Sequence, residues 1–416
     1  MGVMEERDAV AWLHRRAGFG LPPAELRAAV ERGAAAELDR LLDPAGAGGA
    51  PTDYPWDDEQ LPIDPRDSGS KFYAVGGWIE AMATTDRPLV DRMAWLWHGH
   101  FVSALDKVRV ARYMVDQARL FRSAGLGDFA TLVRAVTIDT AMLVYLDLRT
   151  STGQQPNENY SRELLELFTL GEGNYTEDDV QAGARALTGW ALAPGETTAQ
   201  FVPRRHDDSP QRFLGADGVH DLDTVVAAVM AHAAMPTFIA RTVAGELLGV
   251  ADDEVVAPLA AEFAADLDVR SLVRATLLAG LAGATAPIVL GPLPWYVIAR
   301  RVTGAVPRPR DAGLMLRMAG QIPMLPPNVA GWPGGPAWFG ASSLVARANL
   351  AALLAAATPD GEVLVAAEGD DADLLADVLG LPSTGFADES IAALAAAPAG
   401  RDRLAVALIT PEFMIA

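Results

Sequence analysis

Two asparagines, two glutamates and an arginine crowd the opening of the segment NENYSRELLELFTLG, residues 157–171. Wound as a helix at about 100° per residue, it puts Tyr160, Leu164, Leu167 and Phe168 on one apolar stripe. Asn159, Glu163 and Glu166 then fall at i, i+4 and i+7 on another face, with Arg162 beside them and Glu158 further round. Carboxylates gathered in this way suit general acid–base work on a polar substrate, such as cleavage of a glycosidic or similar bond. The plainer reading is a capped helix with a solvated face, in which Glu158 and Arg162 form an i,i+4 pair near the positive end of the helix dipole. Asn157 and Asn159 weigh against that reading, because two poor helix formers stand where one cap would suffice.

The histidines supply a second set of chemical groups. In TTDRPLVDRMAWLWHGHFVS, residues 84–103, His98 and His100 stand two apart. On a helix they diverge by roughly 160° and do not share an ion, since helical ligand pairs sit at i,i+3 or i,i+4. His100 lies at the centre of the stripe Leu89, Met93, Leu96 and Trp97. There an imidazole either finds a hydrogen-bond partner or stays neutral, and the face carrying Glu163 is the expected partner. His206 and Asp207, in the irregular stretch VPRRHDDSPQRFLG, read as a base with a neighbouring carboxylate, as two metal ligands, or as a loop bonding its own backbone. Trp332 and Trp338 in PPNVAGWPGGPAW offer flat faces for a sugar, or pack as buried aromatics.

These groups need a scaffold, and composition bounds it. The chain has 416 residues, half of them apolar, enough for a sizeable core. Its formal charge of −21 argues against nucleic acid as a partner. The absence of cysteine removes disulfides, thiolate metal sites and cysteine nucleophiles. HExxH, GxSxG, a Walker loop and GxGxxG are absent as well. The opening MGVMEERDAVAWLHRRAGFG lacks the pattern of a signal peptide, so a cytoplasmic location is expected. Residues 275–299 are uncharged and long enough to span a bilayer, but the prolines of LGPLPW interrupt them. A buried helix, a turn and a second buried segment is expected there, and no transmembrane span.

Helical periodicity runs nearly throughout and alternating strand patterns are almost absent, which predicts an all-α, multi-helix, bundle-like body with long irregular Gly/Pro-rich loops. Helices are expected at about 5–17, 22–43, 70–84, 87–103, 105–123, 127–137, 159–170, 177–189, 221–248, 252–265, 268–283, 293–303, 309–319 and 341–357. Irregular stretches are expected at 43–69, 191–220 and 321–340, the first too long for a mere connector. The reading divides the chain into an N-terminal half, 1–220, carrying the His and Glu/Asn/Arg motifs, and a C-terminal half, 221–416, carrying the PPNVAGW loop.

The order of RRAGFG, WHGHF, AMLVYLD, NENYSRELLELFTLG, YTEDDV, ARALTGW, HDDSPQRFLG, PPNVAGWPGG and TPEF resembles the bacterial DUF1800 family over essentially the whole chain. The resemblance assigns no reaction and no cofactor. It implies an envelope-associated, extracytoplasmic protein and a neighbour resembling alkaline phosphatases and sulfatases. Trp12 replaces a frequent His of that pattern, and Arg212 a usual Lys. The distinctive positions it marks here are Arg16, His100, Asn157, Glu158, Asn159, Arg162, Glu163, Arg185, Trp190, His206, Asp207, Asn328 and Trp332.

The expectation is therefore an enzyme of the acid–base or metal-assisted, hydrolase-like kind acting on a small polar or glycan-like substrate. Glu158, Arg162, Glu163, His100, His206 and Asp207 are its expected catalytic groups. Asn157, Asn159, Arg16, Arg185, Trp190, Asn328 and Trp332 are expected to bind substrate. A divalent metal on Glu and His ligands is the variant. The alternative is a non-catalytic protein that binds an envelope glycan or a partner, with the polar arc as a buried network fixing helix register.

Overall fold

Aspartates and prolines start most of the helices, as local chemistry requires. The side chains of Asp67, Asp128, Asp139, Asp221, Asp252 and Asp268 each accept a backbone N–H at a helix start, filling donors that the helix itself leaves open. Pro88, Pro292 and Pro309 occupy first-turn positions where no N–H is needed. The computed structural model describes residues 4–43 and 56–416. It is 63% helical with only 4% strand, so the protein is all-α. The expected loop at 43–69 lies partly outside the described residues. Its described end carries a short 3-10 turn, Asp58–Gln60.

Several expected helices are divided, each for a physical reason. The segment 22–43 splits at Gly33, whose φ of +88° suits glycine and where an added Cβ would meet the Glu6 carboxylate at 2.9 Å. The segment 105–123 becomes Leu105–Val108 and Ala111–Ala124, separated by Arg109 in a left-handed conformation. The segment 221–248 becomes Leu222–Met230 and Met235–Leu248. A short helix, Thr140–Tyr145, was not expected. The irregular stretch 191–220 holds two small antiparallel hairpins, pairing 190–191 with 200–201 and 211–213 with 216–219. The uncharged stretch 275–299 folds as the end of the helix Val269–Leu281, an extended connection and the start of the helix Pro292–Thr303. Among the described residues no single helix is long and apolar enough to cross a membrane.

Two hydrophobic cores form, and each draws on both sides of residue 220. One joins Leu13, Leu89, Phe129, Phe168, Val243 and Leu277. The other joins Trp78, Trp95, Met114, Trp295, Leu354 and Phe413. The helix Pro88–His100 is the shared wall. It gives Leu89, Met93, Leu96 and Trp97 to the first core and Trp95 to the second. This double burial explains why polar side chains on that helix end up inside the protein.

Candidate functional site

Four polar side chains on the shared helix point to four different neighbours. Asp91, 1% exposed, receives Arg122 Nε at 3.1 Å. His98, equally buried, lies among Trp78, Trp95 and Trp332, with ring centroids 4.8, 5.9 and 5.4 Å away. Its Nε2 accepts the Met324 N–H at 3.0 Å, which leaves the ring proton on Nδ1. Burial pushes its pKa down to about 3. His100 stands on the other side. Its Nε2 lies 2.8 Å from the Phe168 carbonyl and donates to it, so the Nδ1 lone pair is left open. Burial lowers its pKa to about 4, with the hydrogen bond to Phe168 pulling weakly upward. The imidazole is thus neutral at pH 7.

That geometry answers the question of partnership. His100 does meet the segment that begins at Asn157, but at a backbone carbonyl rather than a carboxylate. The α-helix Glu158–Glu163 passes into a π-helical turn, Leu164–Thr169, and there the chain stops being helical. Carbonyls at such an end lack helical N–H partners and accept from elsewhere.

His100 borders a cavity of about 410 Å³ between the shared helix, the helix Met235–Leu248, the extended segment 288–291 and the loop after Gln321. From the shared helix come Arg92, Trp95, Leu96, Gly99 and His100; from the opposite helix come Arg241, Thr242, Gly245 and Glu246. Trp332 and Trp338 close it from the loop. Trp332 stacks on Trp95 at 4.8 Å with planes 28° apart. Gly331 makes that possible: its φ is +82°, and an added Cβ would lie 2.4 Å from the Gly99 carbonyl oxygen. The glycines of WHGH and NVAGW therefore form the close approach that brings the tryptophan to the histidine helix.

Arg92 and Arg241 bring positive charge to the cavity lining and Glu246 negative charge. The Arg92 side chain is 4% exposed and its Nη2 meets Glu246 Oε1 at 2.9 Å. Its Nε and Nη1 are buried without a partner. Arg16 lies in the same neighbourhood, fixed by the carbonyls of Leu247, Ala286 and Ala416. Its pKa is lowered to about 9 by burial first, then by the charges of Arg92 and Arg15, against the opposing pull of Glu246. A groove of about 520 Å³ near Phe72 is lined mostly by apolar side chains and holds no histidine.

The remaining expected residues lie apart from this cavity. Glu158 and Arg162 form a surface ion-pair chain, with Arg162 Nη2 at 3.1 Å from Glu158 and 2.5 Å from Glu177. Glu163 is half-buried, its pKa raised by burial and by Glu166, and it does not line the cavity. Asn157 is the helix cap, accepting the Asn159 N–H at 2.9 Å, and Asn159 is exposed. The polar arc is therefore cap and solvated face, and the carboxylate helix enters the site through Phe168 alone. His206 donates from Nδ1 to the Thr188 carbonyl at 2.9 Å, and Phe201 packs its edge at 5.1 Å. Asp207 accepts from Ser209 N and Oγ, which lowers its pKa, with smaller help from Arg185 and His206. Trp190 packs on Phe201, so His206, Asp207, Arg185 and Trp190 belong to one loop cluster that is separate from His100. Asn328 is exposed and turns its own loop by accepting the Ala330 N–H.

Arg92, Glu246, Arg241 and Trp95 were not expected from the sequence. Arg92 had a local signal: it sits eight residues before His100 on the same stripe, without an acidic residue at i±4. Glu246 had none, because its partner is far away in the chain. Among the described residues, no group of three or more His, Asp or Glu side chains converges as a metal-ligand set, so the donors present do not fit the expected divalent ion.

Residues 12–415 match the model of DUF1800, described as a protein family of unknown function. No curated protein and no solved structure matches the chain.

Proposed function

Since the chain belongs to the DUF1800 family, which carries no assigned reaction, we propose from the geometry that it is an enzyme working in the cavity beside His100. In this reading His100 is the proton-transfer group, Arg92 and Glu246 orient the substrate, and Trp95, Trp332 and Trp338 take the face of a glycan-like ring. The observation that carries it is the state of His100: a neutral imidazole whose Nε2 is held by Phe168 and whose other nitrogen is free, at the edge of a cavity large enough for a small ligand. A fixed tautomer with one open lone pair is what a general base requires. The residue types expected from sequence, Glu, His and Arg, recur here at different positions: Glu246 for Glu163, and Arg92 for Arg162.

The cavity lining includes one carboxylate, Glu246. A hydrolysis that needs two facing carboxylates is therefore less suited to it than proton transfer centred on histidine. The test begins with tryptophan fluorescence, screening charged and neutral oligosaccharides for binding, followed by product analysis for every ligand found. His100→Asn keeps a donor for Phe168 and removes the base. Turnover that falls at least about a hundredfold while binding persists supports the reading. Unchanged turnover in His100→Asn overturns it. Binding without any turnover in the wild type supports the second reading, a glycan-binding protein, which the aromatic wall also favours.

A further inference from the structure

We infer that the ligand of this cavity carries an oxyanion, a carboxylate or an ester of sulfate or phosphate, which Arg92 receives. The inference rests on the cavity being the working site and adds the chemical class of what enters it. A buried guanidinium normally uses its donors, because each one left unmade keeps its desolvation cost without return. Arg92 leaves Nε and Nη1 without partners while its side chain is 4% exposed. Its counter-charge is incomplete as well. Glu246 touches one nitrogen and is itself 39% exposed, so water already screens much of its charge.

The surroundings push in the same direction. Arg15 and Arg16 are 5% and 2% exposed. Their hydrogen bonds go to main-chain oxygens, those of Phe413 and Ile415 for Arg15 and of Leu247, Ala286 and Ala416 for Arg16, and Arg15 Nε and Nη1 and Arg16 Nε have no partner. Arg92 and Arg16 thus share Glu246 as a near carboxylate, with Arg15 beside Arg16, in a chain whose net charge is −21. His100 adds no competing positive charge, since it stays neutral. A cavity bordered by a buried guanidinium that has N–H donors without partners is suited to receive an anion. The stacked pair Trp95 and Trp332 supplies the apolar face against which the rest of the molecule lies.

The test uses four probes that share one ring: glucuronate, glucose 6-sulfate, glucose 6-phosphate and glucose. Binding is read as a rise in melting temperature at matched ionic strength, for the wild type and for Arg92→Met. Methionine is a fair replacement, because exchanging a poorly paired buried ion for an apolar side chain is often neutral or stabilising. The expected result is a saturable rise for at least one charged probe, none for glucose, and an affinity about tenfold or more weaker in Arg92→Met. The probe that responds identifies carboxylate or ester. The inference is overturned if no charged probe raises the wild-type melt, if glucose raises it equally, or if Arg92→Met responds as the wild type does. Should Arg92→Met fail to fold, the charged-minus-neutral difference in the wild type decides alone. The two proposals fail separately. A charged probe that binds while His100→Asn keeps full turnover leaves the anion receptor standing. Loss of turnover in His100→Asn on a neutral glycan, with no anion response, leaves the base standing.

Discussion

Acidification should unfold this protein partly through one residue, His98, and the size of the effect follows from its surroundings. The ring is sealed among Trp78, Trp95 and Trp332, and its Nε2 accepts the Met324 N–H. Protonation would set one N–H against another and bury a charge beside three indoles. Holding a histidine that ordinarily titrates at 6.5 down to about 3 corresponds to about 5 kcal/mol of preference for the neutral ring. Above pH 6.5 the folded and unfolded rings are both neutral, and this contribution is fully present. As the pH falls, the unfolded chain binds a proton that the folded chain refuses. Stability is then lost at up to about 1.4 kcal/mol per pH unit until the folded ring titrates. His98→Gln keeps a neutral acceptor near Met324 and removes the titration, at a cost of about 1–3 kcal/mol in packing at neutral pH. Urea unfolding of both proteins between about pH 7 and pH 4 isolates the residue, because the other titrating groups cancel in the difference. The wild type should lose about 3 kcal/mol more than the variant over that interval. Parallel stability curves would refute the reasoning, since they would mean that the ring is not held neutral by the fold.

Other expectations follow from the same geometry. Gly331→Ala forces a Cβ against the Gly99 carbonyl at a φ of +82°; it should cost about 1–3 kcal/mol and shift tryptophan emission as Trp332 leaves Trp95, both visible in one thermal melt followed by fluorescence. Asp139 caps a helix and receives Gln117 at 2.7 Å; burial raises its pKa to about 7 against the pull of its hydrogen bonds. The folded state therefore favours the protonated carboxyl, so Asp139→Asn should be more stable than the wild type near pH 8, with the gap closing as the pH falls toward about 4. Arg162→Gln removes a surface ion pair outside the cavity and should leave the response to every sugar probe unchanged, whereas a lost response would return the carboxylate helix to the site. An anion bound beside His100 should raise the depressed pKa of that ring, so glucuronate binding should tighten as the pH falls from 7 toward 5 and take up protons; calorimetry in two buffers of different ionisation enthalpy measures the uptake.

The helices were legible because amphipathic periodicity and caps are local. Asp128, Asp221 and Asp268 stand just before apolar runs, and their side chains cap the helices that follow. The misreadings come from interactions with distant segments. Nothing near Gly33 in the chain announces the Glu6 carboxylate that meets the backbone there, through the Ala34 N–H. The two hairpins within 191–220 are two to four residues per strand, too short to show alternation. At the site, His100 and Trp332 were legible as unusual side chains, and the neutrality of His100 follows from its place in an apolar stripe. The partners were not. Phe168 enters through its carbonyl, which every residue has, and Glu246 is one acidic residue among 54. The polar arc at 157–166 misled because a cap, a surface ion pair and a half-buried glutamate share one face of a helix, and composition alone does not separate them from a cavity wall.

The position of the cavity follows from the helix that borders it. Pro88–His100 contributes to both hydrophobic cores, so its polar residues find no bulk water and each must be completed by another segment: Arg122 for Asp91, Met324 for His98, Phe168 for His100. A helix buried on all sides is normally apolar all round. One that carries two acid–base rings, an aspartate and an arginine bears a cost that packing alone does not require. Three of those four are met by the fold, and for Asp91 and His98 the result is structural. His100 is met on one nitrogen, and Arg92 has two donors without partners. These two line the same cavity. Arg92 differs from other incompletely satisfied buried groups, such as Arg347, in lining a cavity with His100 beside it, the arrangement expected when the missing partner is a ligand rather than more protein.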